Sequence, residues 1–215
     1  MECDPRPRLL IADDHNLVAE ACKSLLEPQF EVIAIVNDGR SLVHAALELK
    51  PDVLVVDVAM PLLNGLDASE QIKQLLPEVK IVFLTMNTDA AIAAEAFRRG
   101  ASGYLPKSAA AVELIAAIRE VLAGRCYLSP LITKDTVNFL LSRNRSQPMQ
   151  PQLTRRQREV LQLLAEGLSM KEVAFTLRVR PGTIAFHKYR IMSSLGLKTN
   201  AELLQYAIKQ HMLVP

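Results

Sequence analysis

Short apolar runs recur at regular intervals along the first half of the chain: RLLIAD (8–13), EVIAIV (31–36), VLVVDV (53–58), KIVFLTM (80–86) and a shorter GYLP (103–106). Between them the apolar positions change to helical spacing, over about 16–26, 40–49, 66–76, 89–99 and 109–124. In the last of these, AAAVELIAAIREVLAG, Val112, Ile115, Ile118 and Val121 fall near one face, and Gly124 supplies a stop. Three of the apolar runs are near-continuous Val/Ile/Leu, as strands covered on both faces should be. Five such strand–helix pairs predict an α/β doubly wound five-stranded parallel sheet with helices on both sides.

The rhythm breaks after residue 125. CYLSPLITKDTVNFLLS (126–142) reads as one more short helix, with Phe139, Leu140 and Leu141 on its apolar side, and RNRSQPMQPQ (143–152) reads as a polar, proline-bearing linker. From 153 onward the pattern is helical throughout. Thr154 and Gln157 form a capping-box signature ahead of a stripe made by Val160, Leu161, Leu164 and Ala165, which Gly167 ends. MKEVAFTL (170–177), a helix over about 181–194 and NAELLQYAIKQHML (200–213) follow, with RVRPG as the turn before the second of these. Two short helices joined by a tight turn inside a small helical bundle predict a helix-turn-helix. The expected organisation is therefore an α/β domain over 1–125, a linker with a short helix over 126–152 and an all-α four-helix domain over 153–215.

Charge sharpens this division. The net charge of +2 hides 11 basic against 18 acidic residues in 1–124, 4 against 1 in 125–151, and 10 against 4 in 152–215. An acidic front and a basic back imply two tasks, the second on a polyanion. No apolar stretch reaches the roughly 18 residues of a membrane span, and MECDPRPRLL has no apolar core of a secretory signal. Cys3, Cys22 and Cys126 are odd in number and widely spaced, which argues against a disulfide framework or a zinc site and for a reducing cytoplasm.

The acids that matter stand at strand ends. Asp13 and Asp14 close the first strand and Asp57 the third; in an open parallel sheet the ligand crevice lies outside the carboxyl ends, where strand order reverses. If the two strands are neighbours, three carboxylates converge, and like charges raise one another's pKa unless a cation intervenes. A hard divalent ion such as Mg²⁺ suits oxygen ligands and a site that takes a phosphate oxygen. Thr85 ends the fourth strand and Lys107 follows the fifth, so a hydroxyl and an ammonium are available to a transferring phosphoryl group. Asp57 is the best-placed nucleophile for an aspartyl phosphate. His15 reads as a surface residue of the first loop, and Pro61 and Asn64-Gly65 as turn formers.

ADDH (12–15), DVAMPLLNG (57–65), LTMN (84–87) and GYLPKSA (103–109) together resemble the receiver domain of two-component response regulators. The resemblance implies Asp57 as phosphoacceptor, Asp13 and Asp14 as acidic metal partners, and a metal contact from the backbone carbonyl of Ala59. It also implies Thr85 and Lys107 on the phosphoryl oxygens and Tyr104 as the switch aromatic that turns inward. Residues 153–214 are similar to the four-helix output domain of the NarL, FixJ and LuxR regulators, with a recognition helix over about 181–194 that enters the major groove by its N-terminal part. That implies double-stranded DNA and a histidine kinase as partners and a homodimer when phosphorylated, with no membrane association. It further implies that the receiver face made by the fourth helix, fifth strand and fifth helix covers the recognition helix at rest.

Phosphate contacts would come from Lys171, Thr183, His187, Lys188 and Arg190. The recognition helix departs from the family pattern. Gly182 and Ala185 stand where polar residues are frequent, Phe186 is bulky, and Arg180 replaces the usual Ser/Thr cap. Arg178 and Arg180 can add charge from the turn, and Ala185 and Phe186 can meet thymine methyls. The alternative is a domain whose DNA binding is weak or lost and which acts through protein contacts. A phosphohydrolase of the haloacid-dehalogenase type is excluded, because the second acid it needs two residues after the nucleophile is Ala59 here. Slow self-hydrolysis of an aspartyl phosphate is a timer rather than a metabolic activity, so the chain reads as no enzyme.

Overall fold

The computed structural model describes residues 6–143, 153–210 and 212–213. Its first part is a parallel sheet of β1 (Arg8–Ala12), β2 (Glu31–Val36), β3 (Val53–Val56), β4 (Lys80–Thr85), β5 (Gly103–Pro106) and β6 (Tyr127–Leu128). The spatial order is β2-β1-β3-β4-β5-β6. Period-two side-chain alternation sorts the central strands into two cores. Leu9, Ile11, Val53, Val55, Val82 and Leu84 face α1 (Asn16–Leu26) and α5 (Ala110–Leu122). Leu10, Leu54, Val56, Ile81, Phe83 and Tyr104 face α2 (Gly39–Leu49), α3 (Gly65–Leu75) and α4 (Ala90–Arg98).

A sixth strand extends the expected five. Tyr127 and Leu128 pair with Gly103 and Tyr104, because the outer edge of β5 would otherwise leave its backbone groups open. Helix α6 (Pro130–Arg143) then starts with proline in its first turn and buries Ile132 and Thr136, packing against α4. The side chains of Leu140 and Leu141 and the polar stretch 144–152 lie outside the described residues.

The last four helices are α7 (Arg155–Ala165), α8 (Met170–Thr176), α9 (Pro181–Leu195) and α10 (Asn200–Lys209), closed around Val160, Leu161, Leu163, Val173, Ile184 and Ile191. The capping box expected at Thr154 is formed, and Ser169 and Glu172 make a second one. On α10 the apolar residues divide: Leu203 and Ala207 are core, while Leu204 and Ile208 face out.

Among the described residues the hydrogen bonds and ion pairs between the two parts come from α7. Its inner face lies on the loop between β3 and α3 and on α3 itself. Gln162 and Glu166 bond to the loop backbone at Met60, Leu62 and Asn64, and Arg158 pairs with Asp67 and Glu70. The expectation that the α4–β5–α5 face covers the recognition helix is therefore not met: Thr183, Ala185, Phe186 and Arg190 on α9 are all exposed. Beside β5 and α4, β6 and α6 take up part of that face.

Candidate functional site

β1 and β3 are neighbours, with Ala12 opposite Val56, so the residues that follow them emerge side by side. The Asp57 N–H donates to the Ala12 carbonyl at 2.8 Å and the Asp13 N–H to the Val36 carbonyl at 3.0 Å, which fixes both carboxylates at the sheet end. Carboxylate oxygens of Asp13, Asp14 and Asp57 and a ring nitrogen of His15 all lie within 4.8 Å of one another. Asp13 and Asp57 are buried, Asp14 is half-buried and His15 is exposed.

Lys107 closes the pocket. Its Nζ lies 2.6 Å from Asp57 Oδ2 and 2.8 Å from Asp13 Oδ2. Burial opposes its charge, yet hydrogen bonds and attraction from Asp13 and Asp57 outweigh it and hold the ammonium above its usual pKa. Burial also pushes the Asp57 carboxyl up, against the pull of Lys107; Asp13 adds to the rise and the Thr85 hydroxyl moderates it. Thr85 is buried at the end of β4, and its Oγ1 accepts from the Asn87 N–H at 3.1 Å.

Three ionised carboxylates against one ammonium would leave two negative charges at the pocket. Asp14 Oδ1 and Asp57 Oδ1 are buried and accept no hydrogen bond. His15 Nδ1 lies 2.9 Å from that Asp14 oxygen without forming a hydrogen bond. Unsatisfied oxygens with an excess of two charges fit a divalent, oxygen-seeking cation. Ala59, two residues beyond Asp57, is half-buried in the same loop.

Tyr104 does not line this pocket. Its ring is fully buried behind it, 6.3 Å from that of Phe83, and its hydroxyl donates to the Asn87 carbonyl at 2.9 Å. The aromatic thus occupies the inward position and is tied to the loop that follows Thr85.

Gly65 makes the pocket floor possible. A Cβ at this position would sit 2.0 Å from the Asp57 carbonyl oxygen and 2.9 Å from Val56 Cγ1. Gly65→Ala must therefore push α3 or the Asp57 backbone aside, at an expected cost of about 1–3 kcal/mol. Thermal denaturation checks this; a melting temperature equal to wild type contradicts the close approach.

The second candidate surface lies at the other end of the chain. Lys171 lies on α8, Arg178 and Arg180 in the turn, and Thr183, Phe186, His187, Lys188 and Arg190 on α9. His187 and Lys188 are half-buried and the rest exposed. The Arg190 guanidinium sits over the Phe186 ring, 5.3 Å from its centroid, and His187 meets that ring edge-on at 5.9 Å. Arg178 takes a positive φ of 52°, a turn conformation more often given to glycine. Arg180 is the N-cap of α9 and makes no side-chain cap bond. Arg180→Ser should stabilise the helix by about 0.5–2 kcal/mol. A melting temperature of the output domain that stays level or falls would count against it.

Sequence reasoning missed the residues that join the two domains. Gln162 is a single polar residue inside VLQLL, and Leu62 an apolar residue in a loop; neither carries a signal until the partner surface is known.

A carboxylate cluster at the switch point of a doubly wound sheet, joined to a basic helix-turn-helix, defines a receiver coupled to an output domain. Residues 9–119 match the family described as response regulator receiver domain, and residues 151–207 match bacterial regulatory proteins of the luxR family. The chain belongs to the response regulators that carry a LuxR-type output domain. It is similar to the oxygen regulatory protein NreC of Staphylococcus aureus, 38% identical over 215 residues that span 96% of this chain and 99% of the relative. Among solved structures it resembles a LuxR-family two-component response regulator from Aurantimonas, with 34% identity and a TM-score of 0.61, covering 63% of this chain and 99% of that one. It also resembles RcsB from Salmonella enterica serovar Typhimurium bound to a promoter in the presence of the phosphomimetic BeF3⁻. That likeness has 27% identity and a TM-score of 0.62, and covers 94% of this chain and 98% of that one. Among the described residues no helix is long and apolar enough to cross a membrane.

Proposed function

We propose that this protein is a cytoplasmic, phosphorylation-switched transcription factor. Residues 1–125 receive a phosphoryl group on Asp57 from a histidine kinase, 126–152 link, and 153–215 bind double-stranded DNA. The observation that carries the reading is the convergence of Asp13, Asp14, Asp57 and Lys107 at the β1 and β3 ends, with two carboxylate oxygens that accept no hydrogen bond.

Asp13, Asp14, Asp57 and the Ala59 carbonyl would hold Mg²⁺, which when bound neutralises charge on the entering phosphoryl oxygens. An Asp57 oxygen attacks the phosphorus of the donor phosphohistidine; the P–N bond breaks and its electron pair returns to the imidazole. Lys107, already 2.6 Å from Asp57 Oδ2, turns to the phosphoryl oxygens, and Thr85 supplies a hydroxyl donor. Moving Thr85 disturbs the Asn87 backbone to which both it and Tyr104 are bonded, which gives the aromatic its part in the switch.

Lys171, Thr183, His187, Lys188 and Arg190 would lie on phosphates, while Arg178, Arg180 and Phe186 reach the groove from the turn and the first turns of α9. Leu204 and Ile208, exposed on α10, offer apolar surface to the second copy of a homodimer. The test is binding to a random-sequence duplex pool at physiological salt, with and without Mg²⁺ and beryllofluoride. Binding that strengthens with the mimic is expected, with a steep loss as salt rises. No retained DNA in any state would leave the receiver as a signal input whose output is a protein contact.

A further inference from the structure

The output domain reaches into the acceptor loop through two side chains that this mechanism does not use. Gln162 on α7 is fully buried; its Nε2 donates to the Met60 carbonyl at 2.9 Å and its Oε1 accepts from the Asn64 N–H at 2.8 Å. One turn further, Glu166 Oε1 accepts from the Leu62 N–H at 3.0 Å and from Gln162 Nε2 at 2.8 Å. Three backbone groups in residues 60–64 are thus bonded to one helix of the other domain.

The loop they hold is strained. Leu62 has a φ of +64°, and across it the Leu63 N–H donates to the Pro61 carbonyl at 2.7 Å. That closure with positive φ belongs to the rarer and more strained form of γ-turn. A leucine stays in such a conformation only where its surroundings over-determine it. Here they do: its side chain packs against the output-domain core, and on the far side a Cβ at Gly39 would fall 1.9 Å from the Leu63 carbonyl oxygen. The loop begins directly after Asp57 and Ala59.

We propose that Gln162 and Glu166 are positioning residues of the phosphoacceptor pocket: by holding residues 60–64 in the strained turn, they raise its affinity for the divalent cation. The proposal rests on Asp13, Asp14, Asp57 and the Ala59 carbonyl being that cation's ligands. With its three anchors released, the turn relaxes and the segment carrying Ala59 is no longer fixed. Groups that orient metal ligands from outside the coordination shell are commonly worth 10–100-fold in affinity. The coupling is reciprocal, so the cation favours the docked output domain by the same factor. Position 162 needs a donor toward Met60 and an acceptor toward Asn64; a carboxamide supplies both, a carboxylate only acceptors and leucine neither.

The test is a Mg²⁺ titration by calorimetry on the full chain at constant ionic strength. Amide hydrogen exchange at Leu62 and Asn64 and the melting temperature are followed alongside. The variants are Gln162→Glu, Gln162→Leu, Glu166→Ala and Glu166→Gln, with Asp13→Asn as control. Gln162→Glu and Glu166→Ala are expected to weaken Mg²⁺ by about 10-fold and to speed exchange at both amides. Glu166→Gln, which keeps an acceptor for Leu62, should stay close to wild type. Glu166→Ala, at a half-exposed position, carries the test if Gln162 variants do not fold. Wild-type Mg²⁺ affinity in Glu166→Ala and in the folded Gln162 variants overturns the proposal, whether or not the amides exchange faster. If the wild type binds no Mg²⁺, or Asp13→Asn leaves its affinity unchanged, the pocket assignment itself fails and the proposal with it.

Discussion

Asp57→Asn is expected to abolish phosphoryl incorporation from a small-molecule donor or a kinase, and to remove any response of DNA binding to beryllofluoride. A carboxamide at this position cannot form the acyl phosphate, and it takes one of three negative charges from the pocket. The fold should survive. Burial already disfavours the Asp57 carboxylate, and Lys107 keeps Asp13 as a partner at 2.8 Å. A net stability change within about 1 kcal/mol follows, because the lost ion pair and the relieved desolvation oppose each other. Intact-protein mass after incubation with donor reads the first effect, and thermal denaturation the second. Incorporation at the wild-type level in the Asn variant would move the acceptor to another side chain.

Asp67→Ala should be the most destabilising single change at the domain junction. Asp67 is 1% exposed, and its Oδ1 accepts from Arg99 Nη1 and from Arg158 Nε, each at 2.7 Å. Its Oδ2 accepts from Asn64 Nδ2 at 3.0 Å. One carboxylate of the receiver thus binds Arg99, the C-cap of α4, and Arg158 of α7 together. Removing it leaves two mostly buried guanidinium groups short of a partner, for which about 3–5 kcal/mol is typical. Glu70 remains 2.9 Å from Arg158 Nη2 and 3.3 Å from Arg99 Nη1, and Glu95 stays 2.7 Å from Arg99 Nε, so the lower end, about 3 kcal/mol, is expected. Arg158→Ala should cost less, since Asp67 then keeps Arg99. Denaturation midpoints for both variants and their double mutant give the coupling directly. A loss below about 1 kcal/mol for Asp67→Ala would mean that solvent replaces these bonds without penalty.

The family assignment shows how much is legible along the chain. Apolar runs of four to seven residues alternating with helical spacing specify strand and helix, because side chains repeat every two residues in one and every 3.6 in the other. Asp13, Asp14, Asp57, Thr85 and Lys107 could be picked out because a parallel sheet puts all its strand ends on one edge. The capping box at Thr154 and the bare N-cap at Arg180 could be read for a similar reason, since each depends on residues three or four positions apart. Other features gave no such signal. The strand at Tyr127–Leu128 is too short for any period, and its pairing follows from the open edge of β5.

What the sequence by itself determined is therefore the two-domain order, the acidic pocket and the basic helix-turn-helix, because local periodicity and strand-end placement suffice for these. Only the tertiary structure decided that α7 bonds to the receiver, that Leu62 is held at positive φ, and that Gln162 bonds to Asn64. Such contacts join residues about a hundred positions apart, and they depend on the shapes of two finished surfaces rather than on any pattern within one of them.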